Sequence, residues 1–179
     1  MDDPIGRQLL LQLLLIFVNA FFAASEIAVV SLNANKLRKD AEDGNKKAAR
    51  LLKLVEQPTS FLSAIQIGIT LAGFLGSAFA AENFSDRLVR WLIDDVKFTL
   101  LSESALGTLS VVVITVILSF FTLVLGELVP KRIAMHAPMK VAAFTTPVVR
   151  VVAVIMKPII KLLSVSTAGM LWLFGIKDK

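Results

Sequence analysis

The chain has 179 residues, 56% of them hydrophobic and 18% charged, with a mean hydropathy of +0.76 and a formal net charge of +5. A soluble domain carries about a quarter charged residues and under half apolar ones, so a water-soluble globule and a disordered chain are both excluded. There is no cysteine and hence no disulfide scaffold, and the basic residues flank apolar runs, a pattern suited to anionic lipid headgroups and not to nucleic acid.

The length suggests a single domain over residues 1–179. Leu9 to Leu32 contain no Lys, Arg or Asp and one Glu, Glu26. Phe61 to Ala81 contain no charge, and Ser104 to Val129 contain only Glu127. At 1.5 Å per helical residue each run can cross a hydrocarbon core about 30 Å thick, which predicts spans over about 8–32, 59–81 and 103–129. The first run is no cleaved leader: it begins with Asp2 and Asp3, is too long, and precedes no hydrophilic domain.

The segment 34–57 between the first two spans holds Lys36, Arg38, Lys39, Lys46, Lys47, Arg50 and Lys53. Between the second and third, Arg87, Arg90 and Lys97 are outnumbered by acids. The positive-inside rule makes the first loop cytoplasmic, the second external, and the N-terminus external. Leu37, Ala41, Ala48, Leu51, Leu52 and Val55 predict short amphipathic helices on the membrane surface in the first loop.

The tail, Val141 to Ile176, is apolar enough for a fourth span. Arg150, Lys157 and Lys161 recur at spacings of seven and four on one helical face, while Pro138, Pro147 and Pro158 interrupt the run. An interfacial helix over about 138–165, basic face toward the cytoplasmic headgroups, is favoured over a span that buries Arg150.

Polar residues inside the spans are costly and carry the functional signal. With this topology Ser25 and Glu26, then Ser63, Gln66 and Gly68, and finally Glu127 converge on one depth near the cytoplasmic side. Pro130 offers no amide to the carbonyl of Gly126, so a kinked or unwound helix end is expected there, with a freed carbonyl beside the Glu127 carboxylate. Carboxylate, carbonyl and hydroxyl oxygens together suit a hard cation, Mg²⁺ or Ca²⁺. Glu127 also has a plain reading, snorkelling to the interface beside Lys131, and Glu26 one as a hydrogen-bonded core carboxylate. Gly68, Ala72, Gly76 and Ala80, with Gly73, Ser77 and Ala81 alongside, form small-residue stripes. These serve packing inside the protomer or a homodimer seam, and the first is favoured.

Catalytic signals are missing. His136 is the lone histidine, there is no thiol, and no phosphate-binding G-x-x-x-x-G-K-[ST] loop occurs. Trp91 and Trp172 are expected at the membrane interfaces as amphipathic anchors.

The run Asn19 to Glu26 with Ser31-Leu32-Asn33, the segment Ser63 to Leu71, and Gly126-Glu127-Leu128-Val129-Pro130-Lys131 resemble, in order, the three span motifs of the CorC/cyclin M (CNNM) magnesium transporters. The last matches that family's G-E-x-x-P-K. Where bacterial members read F-S-G-S-E this chain has Phe22-Ala23-Ala24-Ser25-Glu26, and Ile69 stands where an Asn often follows the glycine. The resemblance implies a homodimeric, all-α integral membrane domain with three transmembrane helices and a juxtamembrane belt helix in each protomer. It further implies Mg²⁺ bound near the cytoplasmic side by Ser25, Ser63, Gly68 and Glu127, with Glu26 assisting, and efflux coupled to Na⁺ entry. Family members continue into paired cystathionine-β-synthase modules that bind ATP and a CorC-type domain. This chain stops at Lys179, so it is expected to be a truncated transmembrane piece without ATP regulation. The expected protein is a multi-pass transporter domain of the cell's inner (plasma) membrane and not an enzyme. Its rivals are a Mg²⁺-sensing scaffold and an interfacial enzyme or channel that uses Glu26 and Glu127.

Overall fold

The structure, a computed structural model, describes residues 4–97 and 102–175; the acidic start at Asp2 and Asp3 lies outside them. The described residues are helical almost throughout and contain no strand. In chain order the helices are α1 (Pro4–Val30), α2 (Ala34–Glu42), α3 (Lys46–Glu56), α4 (Thr59–Arg90), α5 (Glu103–Leu123), α6 (Val129–His136), α7 (Pro138–Ile155) and α8 (Lys157–Leu173). A π-helical turn prolongs α4 over Trp91–Asp95, and another over Val124–Leu128 joins α5 to α6 without interruption. They fall into two compact units. The first takes the described residues up to Ala24 together with Gly68–Ile133; the second takes Ser25–Ile67 and the described residues from Ala134 onward.

Four stretches are long and apolar enough to cross a bilayer: Ile5–Val30, Thr59–Asp95, Glu103–His136 and Pro138–Ile155. The second and third contain the predicted spans, and the first covers its predicted span up to Val30. Their exposed faces are apolar, with Leu10, Phe17, Val116 and Phe120 all exposed, a surface suited to lipid. Buried small residues let α4 pack closely: Ala72, Gly76 and Ala80 are all buried. A Cβ on Gly68 would lie 2.6 Å from the Phe22 ring, and one on Gly76 would lie 3.4 Å from the Gln12 amide. The Gly68 stripe therefore serves packing inside the protomer, the favoured reading of its spacing.

In the second unit the predicted surface helices form as α2 and α3, each started by an asparagine cap. Asn33 Oδ1 accepts from the Lys36 amide at 3.0 Å, and Asn45 Oδ1 accepts from the amides of Lys47 and Ala48 at 3.0 and 3.2 Å. Each cap is worth about 1 kcal/mol. Leu32 before the Asn33 cap and Leu37 on the first full turn are both buried, in the positions of a hydrophobic staple. Gly44, at φ +89°, closes the turn after α2 in a conformation that a side chain would strain.

The tail differs from expectation in its breaks. It forms two helices, α7 and α8, separated at Met156. Pro138 and Pro158 sit in first turns, where a missing amide costs nothing, whereas Pro147 lies inside α7 and does not end it. None of the residues of α8 is buried.

Candidate functional site

Glu127 is positioned by a departure from α geometry. In the first unit the turn Val124–Leu128 is π-helical, with the Val129 amide donating to the Val124 carbonyl. The departure expected from Pro130 is thus a widened turn and not an unwound end. The i→i+5 pattern absorbs the missing proline amide by adding a residue to the turn. The carbonyl of Gly126, which an α-helix would leave facing Pro130, accepts a bond from Asn19 Nδ2 on α1 at 3.3 Å. Asn19 and Gly126 are both buried. A Cβ on Gly126 would lie 3.0 Å from that amide nitrogen, so a glycine here lets α1 approach.

The widened turn also decides where the carboxylate points. Thr115, Ser119 and Thr122 follow one another at helical spacings of four and three, on one face of α5. Five further residues of α-helix would carry position 127 about 140° past a full turn, off that face. One extra residue in the π turn removes most of that excess. Accordingly, Glu127 lines the same cavity as Thr115, Ser119 and Thr122. That cavity, about 460 Å³, is also lined by Thr70, Gly73 and Ser77 of α4 and Gln12 of α1. The second small-residue stripe, Gly73 and Ser77, therefore opens onto the cavity.

The lining is chemically simple: one carboxylate, hydroxyls of Thr and Ser, one amide, and apolar walls. The Glu127 carboxylate lies 3.7 Å from Lys131 Nζ, one turn on, and both side chains are about a third exposed. Gln12 is 4% exposed, and its Oε1 has no partner among the described residues. The Oδ1 of Asn19 is likewise buried and unpartnered there. A buried acceptor left unsatisfied costs about 1–3 kcal/mol, so such oxygens call for a water, an ion or a change of conformation. Among the described residues no group of three or more His, Cys, Asp or Glu side chains converges.

The residues expected at the site are distributed as follows. Glu127 lines the cavity; Gly68 belongs to the same unit but does not, although its neighbours Ile69 and Thr70 do. Ser25, Glu26 and Ser63 belong to the second unit. Ser25 is fully buried, Glu26 and Ser63 are half-buried, and Gln66 is exposed. Sequence reasoning missed Gln12, Asn19 and the hydroxyl row of α5. The row was visible as a polar i, i+4, i+7 pattern in an apolar helix, whereas Asn19 stood in a quoted motif but its role shows only through its partner, Gly126.

The chain matches the cyclin M transmembrane N-terminal domain over residues 10–179. It is 42% identical over 178 residues to the UPF0053 protein sll0260 of Synechocystis, covering 99% of this chain and 39% of that one. It is 30% identical over 160 residues to the UPF0053 inner membrane protein YfjD of Escherichia coli, covering 89% and 33%. The UPF0053 protein YhdT of Bacillus subtilis is 29% identical over 177 residues, covering 99% and 37%. The chain thus spans about two fifths or less of the length of these relatives. With its long apolar helices and its match across nearly the whole sequence, this chain belongs to the cyclin M family, as a transmembrane N-terminal domain.

Proposed function

We propose that this domain moves Mg²⁺ across the cell's inner membrane, by efflux coupled to Na⁺ entry, and that Glu127 is the charged ligand. The observation that carries the reading is the π turn that brings Glu127 to a cavity whose apolar walls also carry the hydroxyls of Thr70, Ser77, Thr115, Ser119 and Thr122. Mg²⁺ demands oxygen ligands at about 2.1 Å and sheds water reluctantly. Hydroxyls along α5 and α4 would then replace part of its hydration shell on the way through the cavity. The sequence motifs add the hydroxyls of Ser25 and Ser63, a backbone carbonyl at Gly68, and the field of Glu26 to the ligand set. Three spans with a cytoplasmic belt formed by α7 and α8, an external N-terminus, and a homodimer complete the proposal. The Arg150, Lys157 and Lys161 face of the tail suits anionic headgroups. Beyond this chain the regulatory partners would be cystathionine-β-synthase and CorC-type domains.

The test is thermal unfolding in detergent against Mg²⁺, comparing the native chain with Glu127→Gln. A ligand at about 100 times its Kd stabilises the folded state by about 2.7 kcal/mol. A saturable rise that disappears in the variant supports the site and leads to a flux assay in liposomes under a Na⁺ gradient. Equal rises in both proteins, or none, remove Glu127 as ligand. Binding without flux would assign the domain a Mg²⁺-sensing scaffold role instead.

A further inference from the structure

A different chemistry occupies the second unit. A cavity of about 330 Å³ there is lined by Lys47 and Arg50 of α3 and by Thr146 and Arg150 of α7, and no carboxylate lines it. None of the three cationic side chains forms an ion pair with a described residue. Arg150 Nη2 donates to the backbone carbonyl of Arg50 at 3.3 Å, which fixes its guanidinium at the cavity and leaves its other donors available. Thr145 Oγ1 donates to the Val141 carbonyl at 3.0 Å, but Thr146 makes no such bond. Thr146 is 6% exposed and lines this cavity, and its buried hydroxyl has no partner among the described residues.

Three like charges held together repel one another unless an anion joins them. The donors come from two helices and include two planar guanidiniums, an ammonium and a hydroxyl. A tetrahedral oxyanion with several acceptor oxygens satisfies such a set better than a carboxylate, which offers two. We propose that Lys47, Arg50, Thr146 and Arg150 form a binding site for a phosphate group, carried by an anionic phospholipid or by a soluble phosphate. The surroundings have room for a lipid tail as well. Arg150 also lines a neighbouring cavity walled by Leu54, Phe61, Val154 and Ile160, so one side chain joins a phosphate-binding end to an apolar one. The site is independent of the Mg²⁺ reading, and either can fail without the other.

The test titrates the purified chain in detergent with dioctanoyl phosphatidylglycerol, and separately with inorganic phosphate, following the unfolding midpoint. A saturable rise is expected. Arg50→Gln and Arg150→Gln should each raise the half-saturating concentration about tenfold, the equivalent of one charge-assisted bond. A Lys36→Gln/Lys39→Gln control on α2 should change it by less than about twofold, since exposed charges act weakly and non-specifically. Arg50→Gln keeps the bond from Arg150, which uses the Arg50 backbone, so its folding is not in question even if Arg150→Gln is unstable. A response to the lipid alone identifies a headgroup site, and a response to both probes a soluble phosphate site. No saturation with either probe, or equal losses in the α2 control, overturns the proposal.

Discussion

Asn19 on the first long helix donates through Nδ2 to the carbonyl of Gly126, 107 residues away, at 3.3 Å. That bond links α1 to the π turn at the buried carbonyl that Pro130 cannot serve. Replacing Asn19 with Ala should destabilise the domain by about 1–3 kcal/mol, because a buried carbonyl loses its donor. The expected readout is a lower unfolding midpoint in detergent, with Mg²⁺ stabilisation weakened by more than the midpoint shift alone explains. An unchanged midpoint would show that the Gly126 carbonyl is satisfied without the amide.

Gly68 and Phe22 form a second such pair. Gly68→Ala puts a methyl 2.6–2.7 Å from the Phe22 ring and should cost about 1–3 kcal/mol by overpacking. Adding Phe22→Leu should return most of that loss, since the two residues share one contact. Mg²⁺ titration of the rescued double variant then separates a packing role for Gly68 from a ligand role. Retained Mg²⁺ stabilisation in that variant leaves the backbone carbonyl free to act, and abolished stabilisation would locate the ion closer to the ring.

Lys131 stands 3.7 Å from the Glu127 carboxylate and competes with any cation for it. Lys131→Gln should therefore tighten Mg²⁺ binding, by about two- to fivefold for a pair of this exposure, and the gain should shrink as salt rises. Isothermal titration at two ionic strengths reads both effects. Weaker binding in the variant would mean that the lysine organises the carboxylate instead of shielding it.

Gln12 gives the sharpest contrast between stability and function. Its Oε1 is buried without a partner among the described residues, so Gln12→Leu should leave stability unchanged or slightly raised. The same change removes an oxygen from the wall of the cavity and should slow Mg²⁺ flux. A clear loss of stability with normal flux would make the amide a structural group.

The sequence made much of this legible, because in a bilayer the pattern of charge is itself the architecture. The apolar runs located α1, α4 and α5, and the apolar pattern of Leu37, Ala41, Ala48, Leu51, Leu52 and Val55 announced α2 and α3, whose asparagine caps only the structure shows. The Gly68 stripe told of close packing without naming its partner; Phe22 supplies it. Three things stayed hidden. Pro147 suggested an interruption, yet α7 runs through it, because losing one amide does not outweigh the rest of an 18-residue helix. Pro130 marked a departure from α geometry but was read as a kinked or unwound end, since unwinding and π widening answer the same missing amide. The meeting of Lys47 and Arg50 with Arg150 depends on tertiary packing, and no local spacing encodes it.

The π turn amounts to a phase correction of one residue in a long helix. A deletion of one residue between Leu123 and Val129 could be taken up by restoring α bonding, so the helix would keep its length of hydrogen bonds almost intact. A loss ahead of Glu127 would leave the carboxylate on its face, but loss of Leu128 would cost alignment: Glu127 would stand five α-helical residues past Thr122 and turn away from Thr115, Ser119 and Thr122. A helix that looks tolerant of shortening by every measure of stability is, at this one turn, tuned to the residue.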